Sequence, residues 1–324
     1  MISLIITREY YVYTFLISML EYHINNLIFA KGVSMFDNFI NKVIENNWPV
    51  YGIEIFSHGH IVCKYDFSSE ERHPIYSATK SFTATAAGIA AAEGKFKLEA
   101  SVYDYLREEI SSNISEEQLH TLQRISMKRL LTMSVPGYPF RPEGENWLDF
   151  CLTYPIPYSE IPAFEYSNIP AYLVGVAVEK AVGEHLISYL GPRLLEPLGI
   201  ENLEYLNCPS GHFYGASGMS LTVNELSRLG QLYLQMGQYN NRQLLLESWV
   251  REATSIQQMN REGGYGYYFW KYKDGFSING KWGQKCFAFP AKQLMITYLA
   301  NFKEQPDTVR LAMEQDILPQ FGIY

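Results

Sequence analysis

At 324 residues the chain is long enough to bury a sizeable core, in one large domain or two closely packed ones. Its 47% apolar and 19% charged residues describe a soluble globular protein. A net charge of −8, with no run of Lys or Arg, argues against a nucleic-acid partner and for a small-molecule one.

Residues 1–34 are rich in Ile, Leu and Tyr, but Arg8, Glu9, Glu21 and His23 interrupt them before about 18 apolar residues accumulate. The segment also lacks a basic start followed by an Ala-x-Ala-like cleavage site, so it is a poor signal peptide, and a membrane role is not expected. It reads either as an amphipathic addition or, preferably, as an extension upstream of a natural start near Met35. From Met35, Phe36, Phe39, Ile40, Val43 and Ile44 recur at helical spacing. "VYGIEIFSHGHIVCKYDF" then gives two β-branched runs around a short glycine turn, which predicts a hairpin rather than a metal site at His58 and His60. A small-residue helix follows, running to about Gly94.

Residues 96–212 carry seven prolines between 136 and 170 and helical patches such as "AYLVGVAVEKAVG", which predicts a mainly helical lobe with long loops. From about 213, a glycine-rich entry leads to an amphipathic helix with Leu226, Leu229, Leu232 and Tyr233 on one face. The tail reads strand, turn, strand, turn, strand, with Asp274-Gly275 and "PAKQ" as the turns, then a last helix over roughly 305–318. Strands at both ends of the chain imply one sheet domain built from 35–95 and 213–324, and a cleft beside the helical lobe is the expected ligand site. The cysteines, Cys63, Cys151, Cys208 and Cys286, are scattered without Cys-x-x-Cys spacing, which fits free thiols in a reducing, cytoplasmic setting.

One short stretch carries chemistry. "HPIYSATKSFTA" sets Ser77 three residues before Lys80, and on a helix that spacing shares a face. A serine hydroxyl needs a neighbouring base and donors for an oxyanion, and no Gly-x-Ser-x-Gly elbow is present to supply the Ser-His-Asp solution. The small residues around Lys80 predict burial that depresses its pKa towards neutrality, making Ser77 an activated nucleophile. The alternative is a serine helix cap beside a snorkelling surface lysine.

Ser77-Ala78-Thr79-Lys80, then Tyr166-Ser167-Asn168 in "EYSN", then Lys281-Trp282-Gly283 in "GKWGQ" resemble, in order, the three motifs of the serine β-lactamase and penicillin-binding-protein superfamily, closest to its class C β-lactamase and esterase branch. Tyr-x-Asn recurs at Tyr205 and Tyr239, so order and surroundings select the match, which spans about residues 36–320. The resemblance implies an α/β fold, an antiparallel sheet flanked by helices with a mainly helical second lobe. It implies a Ser77 acyl-enzyme that needs neither metal nor organic cofactor. Lys80 would share the proton traffic. Tyr166, its phenol acidified by Lys80 and Lys281, would act as general base, which leaves open whether Lys80 or Tyr166 takes the serine proton. Asn168 would orient Lys80 and the substrate, and the backbone N–H groups of Ser77 and Gln284, beyond Gly283, would form the oxyanion hole.

The third motif departs from the family, because β-lactamases and cell-wall carboxypeptidases carry Thr or Ser after the lysine. Trp282 has no hydroxyl to hold a substrate carboxylate. The expected activity is therefore an esterase or amidase of a small acyl substrate. The alternatives are a β-lactamase or D-amino-acid-specific peptidase and, from another class, a non-catalytic ligand-binding relative.

Overall fold

The computed structural model describes residues 35–69 and 71–324. The expectation for the N-terminal extension lies outside the described residues. Contacts divide the chain into two compact units, one holding the residues up to Trp48 together with 308–324, the other residues 49–307.

In the first unit, helix α1 (Asp37–Glu45) buries Phe39 and Val43 at the predicted spacing. Its Lys42 ammonium donates to Asp316 at 2.9 Å, and Phe36 stacks on Phe321. Asp316 ends the last helix of the chain, over Thr308–Asp316.

The second unit is built on a six-stranded antiparallel sheet. β1 (Val50–Ser57) and β2 (His60–Asp66) form the expected hairpin, turning at His58 and Gly59, both at positive φ. β3 (His73–Pro74) leads to α2 (Thr79–Ala92). Residues 96–212 supply no strand of the sheet. They form α3 (Val102–Leu106), α4 (Glu116–Arg124), α5 (Met127–Leu131), α6 (Trp147–Thr153), α7 (Ile169–Val182) and α8 (Leu186–Leu190). These helices share one hydrophobic core with α2, Phe56 and the C-terminal strands.

β4 (Ser220–Leu221) pairs with β3, and α9 (Val223–Leu234) starts at a capping box in which Thr222 and Glu225 satisfy each other's backbone N–H. Its apolar face packs on the sheet. A short ladder, β5 (Gln238–Tyr239) with β6 (Arg242–Gln243), and α10 (Glu247–Thr254) precede the last four strands. These are β7 (Trp270–Tyr272), β8 (Gly275–Gly280), β9 (Gln284–Phe289) and β10 (Leu294–Ala300), and the sheet order is β2-β1-β10-β9-β8-β7.

One expectation needs correcting. The stretch between Asp274-Gly275 and "PAKQ" is not a single strand, because Lys281-Trp282-Gly283 turns the chain between β8 and β9. Trp282 and Gly283 both have positive φ, +65° and +99°, the backbone signature of tight hairpin turns.

α2 and α7 are buried nearly all round, as helices without a polar face must be, and they pack against each other. Thr83 Oγ1 ties α2 to the Gly215 carbonyl at 2.7 Å, and Ser81 Oγ ties it to the Tyr268 carbonyl at 3.0 Å. The first turns of α2 are thereby tied to the loops that precede β4 and β7.

Candidate active site

Ser77 sits at a joint in the backbone. β3 delivers the chain, Tyr76–Ala78 form a single 3-10 turn, and α2 begins at Thr79. Tyr76 enters the turn at φ +47°, a region that costs an L-residue about 1–2 kcal/mol and persists where surrounding packing imposes it. That packing is visible, since β8 and β9 both lie against the turn. Gly280 runs so close that a Cβ there would stand 2.1 Å from the Ile75 carbonyl oxygen.

Lys80 lies one helical turn on, 1% exposed, with Nζ 3.1 Å from Ser77 Oγ. The same nitrogen donates to Asn168 Oδ1 at 2.6 Å and to the Ala216 carbonyl at 2.9 Å. Loss of water disfavours the ammonium, and burial brings its pKa down from 10.5 to about 7. The reading of a capping serine beside a surface lysine is thereby removed. The residue before α2 is Ala78, and no side chain caps the helix.

Tyr166 reaches the same point from the chain entering α7. Its phenol is near enough to Ser77 to feel the hydroxyl, and Lys80 Nζ is 4.9 Å from its ring centroid. The phenol is not acidified. Burial holds its pKa above the ordinary value, Tyr214 and Glu262 add to the rise, and only the nearby Ser77 hydroxyl opposes it. The physical reason is that the two expected cations contribute little: Lys80 is close to half neutral at pH 7, and Lys281 faces elsewhere.

Asn168, buried at the start of α7, bridges two groups, accepting from Lys80 and donating through Nδ2 to Tyr214 Oη at 2.9 Å. The structure thus brings Ser77, Lys80, Tyr166 and Asn168 together. Lys281 lines the same pocket, but its ammonium lies 4.3 Å over the Trp282 ring. Trp282 turns its edge towards Tyr76, 5.0 Å between centroids. Gly283 completes the turn. Gln284 opens β9 with its side chain buried and donating to the Ala300 carbonyl.

The pocket over Ser77 has a volume of about 390 Å³. Tyr166 and Trp270 form one wall, their rings 5.5 Å apart, with Tyr265 4.8 Å behind Trp270. Phe140, Ser217, Asn279, Glu262 and Lys285 are also among the lining residues. Trp147 is not among these residues and packs on Tyr214 instead, at 5.0 Å.

Sequence reasoning missed Tyr214, the Ala216 carbonyl and Glu262. The first two lie in "YGASGMS", whose glycines marked an irregular backbone. A main-chain carbonyl acceptor leaves no residue-type signal, and Glu262 resembles any loop glutamate.

The Beta-lactamase family profile matches residues 44–318. The fold is similar to that of a protein described as a 6-aminohexanoate-dimer hydrolase from Bacillus anthracis, with a TM-score of 0.72 and 18% identity over 86% of this chain and 81% of that one. It is similar also to a β-lactamase/D-alanine carboxypeptidase from Pseudomonas syringae, with a TM-score of 0.68 and 19% identity over 88% and 98% of the two chains. A class C β-lactamase gives a TM-score of 0.67 and 18% identity over 88% and 94%. Among curated proteins none matches the sequence.

Proposed function

The chain belongs to the beta-lactamase family, whose members are serine hydrolases, and from that premise we propose that it cleaves an ester or small amide through an acyl-enzyme on Ser77. The observation that carries the reading is the hydrogen-bond pattern of Lys80. A neutral amine has two N–H bonds and one lone pair. Asn168 Oδ1 and the Ala216 carbonyl can only accept, so they occupy the two N–H bonds and leave the lone pair for the proton of Ser77 Oγ, 3.1 Å away. With a pKa of about 7, a large share of Lys80 is in that form at neutral pH.

Lys80 is therefore assigned as the base. As Ser77 Oγ bonds to the substrate carbonyl carbon, its proton passes to Lys80 and the carbonyl oxygen takes the charge. The backbone N–H groups of Ser77 and Gln284 are assigned to that oxyanion. The bond to the leaving group then breaks, and Tyr166, which stays protonated and lies beside Ser77, relays the proton from Lys80 to the departing oxygen or nitrogen. Water attacks the acyl-enzyme by the reverse traffic and releases the acid.

An ester or unbranched amide suits the pocket better than a penicillin, because the residue after Lys281 lacks a hydroxyl and the lysine is turned onto the indole. Among the described residues no helix is long and apolar enough to cross a membrane.

Intact mass after treatment with a fluorophosphonate, and separately with benzylpenicillin, tests the proposal. A fluorophosphonate adduct on the parent protein but not on Ser77→Ala is expected, with no penicillin adduct. A penicillin adduct redirects the reading to β-lactam or D-peptide chemistry. No adduct from either reagent points to the ligand-binding alternative.

A further inference from the structure

The pocket contains an acid that the proposed mechanism does not use. Glu262 lines it together with Ser77 and Trp270. Among the described residues its carboxylate has neither an ion pair nor a hydrogen bond, and it lies near enough to Tyr166 to disfavour the phenolate.

The turn that presents it is built. Asn260 Oδ1 accepts from the backbone N–H groups of Glu262 and Gly264, each at 2.9 Å, the pattern by which an asparagine side chain closes a turn on its own chain. Gly263 and Gly264 have φ of +101° and +137°, and a Cβ on Gly264 would stand 2.8 Å from Ile256. On the far side of the turn, Tyr265 exchanges backbone hydrogen bonds with Gln258, at 2.8 and 3.0 Å.

Tyr265 also anchors the ring wall of Tyr166 and Trp270 beside that carboxylate. A carboxylate that shares a pocket with aromatic rings attracts a positively charged nitrogen by Coulomb force and by the ring quadrupoles together. The cations of the pocket come from other segments, Lys281 in the β8–β9 turn and Lys285 in β9. A ligand filling the pocket thus meets charges of both signs.

We infer that Glu262, with the Tyr166 and Trp270 rings, selects substrates that carry an ammonium group, so that the acyl compounds cleaved at Ser77 are cationic ones. This rests on the proposed hydrolase reading for the position of the scissile carbonyl, and it adds a recognition element to it.

Calorimetric titration of the full chain carrying Ser77→Ala, with γ-trimethylammonio-butanamide and its uncharged tert-butyl isostere, tests the inference without turnover. The cationic amide is expected to bind about tenfold more tightly, discounted for the exposure of Glu262. Glu262→Gln should bring the two affinities together, and Glu262→Lys should make the neutral amide the better ligand. Equal affinities on the starting protein, a preference that survives Glu262→Gln, or no binding of either amide overturns the inference. Fluorophosphonate labelling of Ser77 keeps the two readings apart. Labelling without a cation preference removes the role of Glu262 and leaves the hydrolase, whereas a cation preference without labelling does the reverse.

Discussion

Asn168 Oδ1 lies 2.6 Å from Lys80 Nζ, closer than the serine that Lys80 is proposed to deprotonate. A neutral amide at that spot orients the lysine without restoring its charge. Asn168→Asp would place an anion there and raise the lysine pKa by about 1–3 units. The rising limb of kcat/KM against pH should move up by that amount, and activity at pH 7 should fall roughly tenfold or more. An unmoved limb would remove Lys80 as the titrating base.

The parent protein should show that limb near pH 7, the value to which burial brings Lys80. Lys80→Met should lower kcat/KM by about 10²–10⁴ and erase the limb. Stability carries a second signature. Between pH 7 and 10.5 the unfolded chain holds a proton on Lys80 that the folded chain lacks, so parent stability rises with pH there. The stability difference between Lys80→Met and the parent, measured by urea unfolding at several pH values, should shift in favour of the parent across that window.

Much of this site was legible in advance, and the reasons are local. "FSHGHI" showed its hairpin because a short polar turn parted two β-branched runs, and Lys80 showed its burial because Ala, Thr and Gly surround it. The turn at Lys281-Trp282-Gly283 was not legible, since nothing in tryptophan's propensities favours φ of +65°. That backbone state is imposed by the strand pairing on either side. The orientation of Lys281 went wrong for the same reason.

That turn bears on attempts to convert the activity. Trp282→Thr supplies the hydroxyl that β-lactamases of this superfamily carry, but a β-branched residue is poorly suited to positive φ. We expect a loss of about 1–3 kcal/mol in stability and no gain of penicillin turnover, measured by thermal melting and by ultraviolet absorbance of the β-lactam.

Gly280→Ala should be far more damaging than Gly59→Ala. The first forces a methyl against the Ile75 carbonyl, two residues from the proposed nucleophile, whereas the second meets no atom within 4 Å and suffers only its positive φ. Gly59→Ala should cost about 1 kcal/mol. Gly280→Ala should cost more than that and slow fluorophosphonate labelling of Ser77.

A half-buried ion pair away from the pocket gives a pH effect of the opposite sign. His212 Nδ1 lies 2.5 Å from Glu179 Oε2, and that hydrogen bond raises the histidine pKa above 6.5. Its contribution is fully present below the unfolded value and fades as pH rises through the raised one. His212→Phe should therefore destabilise by about 1–2 kcal/mol at pH 5.5 and by less at pH 9. The pH at which kcat/KM rises should not move with it.

The pairing of β1 with β10 joins Val50 to Ala300 inside the sheet, across 250 residues of sequence. A ribosome releases the chain in order, so Ser77 and Lys80 emerge long before the strands that hold their turn in place. Until β8 to β10 have cleared the exit tunnel, β1 has only β2 beside it, and nothing presses Gly280 against the Ile75 carbonyl. Loop closure over so many residues is slow compared with helix formation. The geometry that joins Ser77 to Lys80 and the β8–β9 turn is therefore acquired late in biosynthesis, when the chain is nearly complete, and a nascent or prematurely terminated chain carries the serine without the reactivity proposed for it.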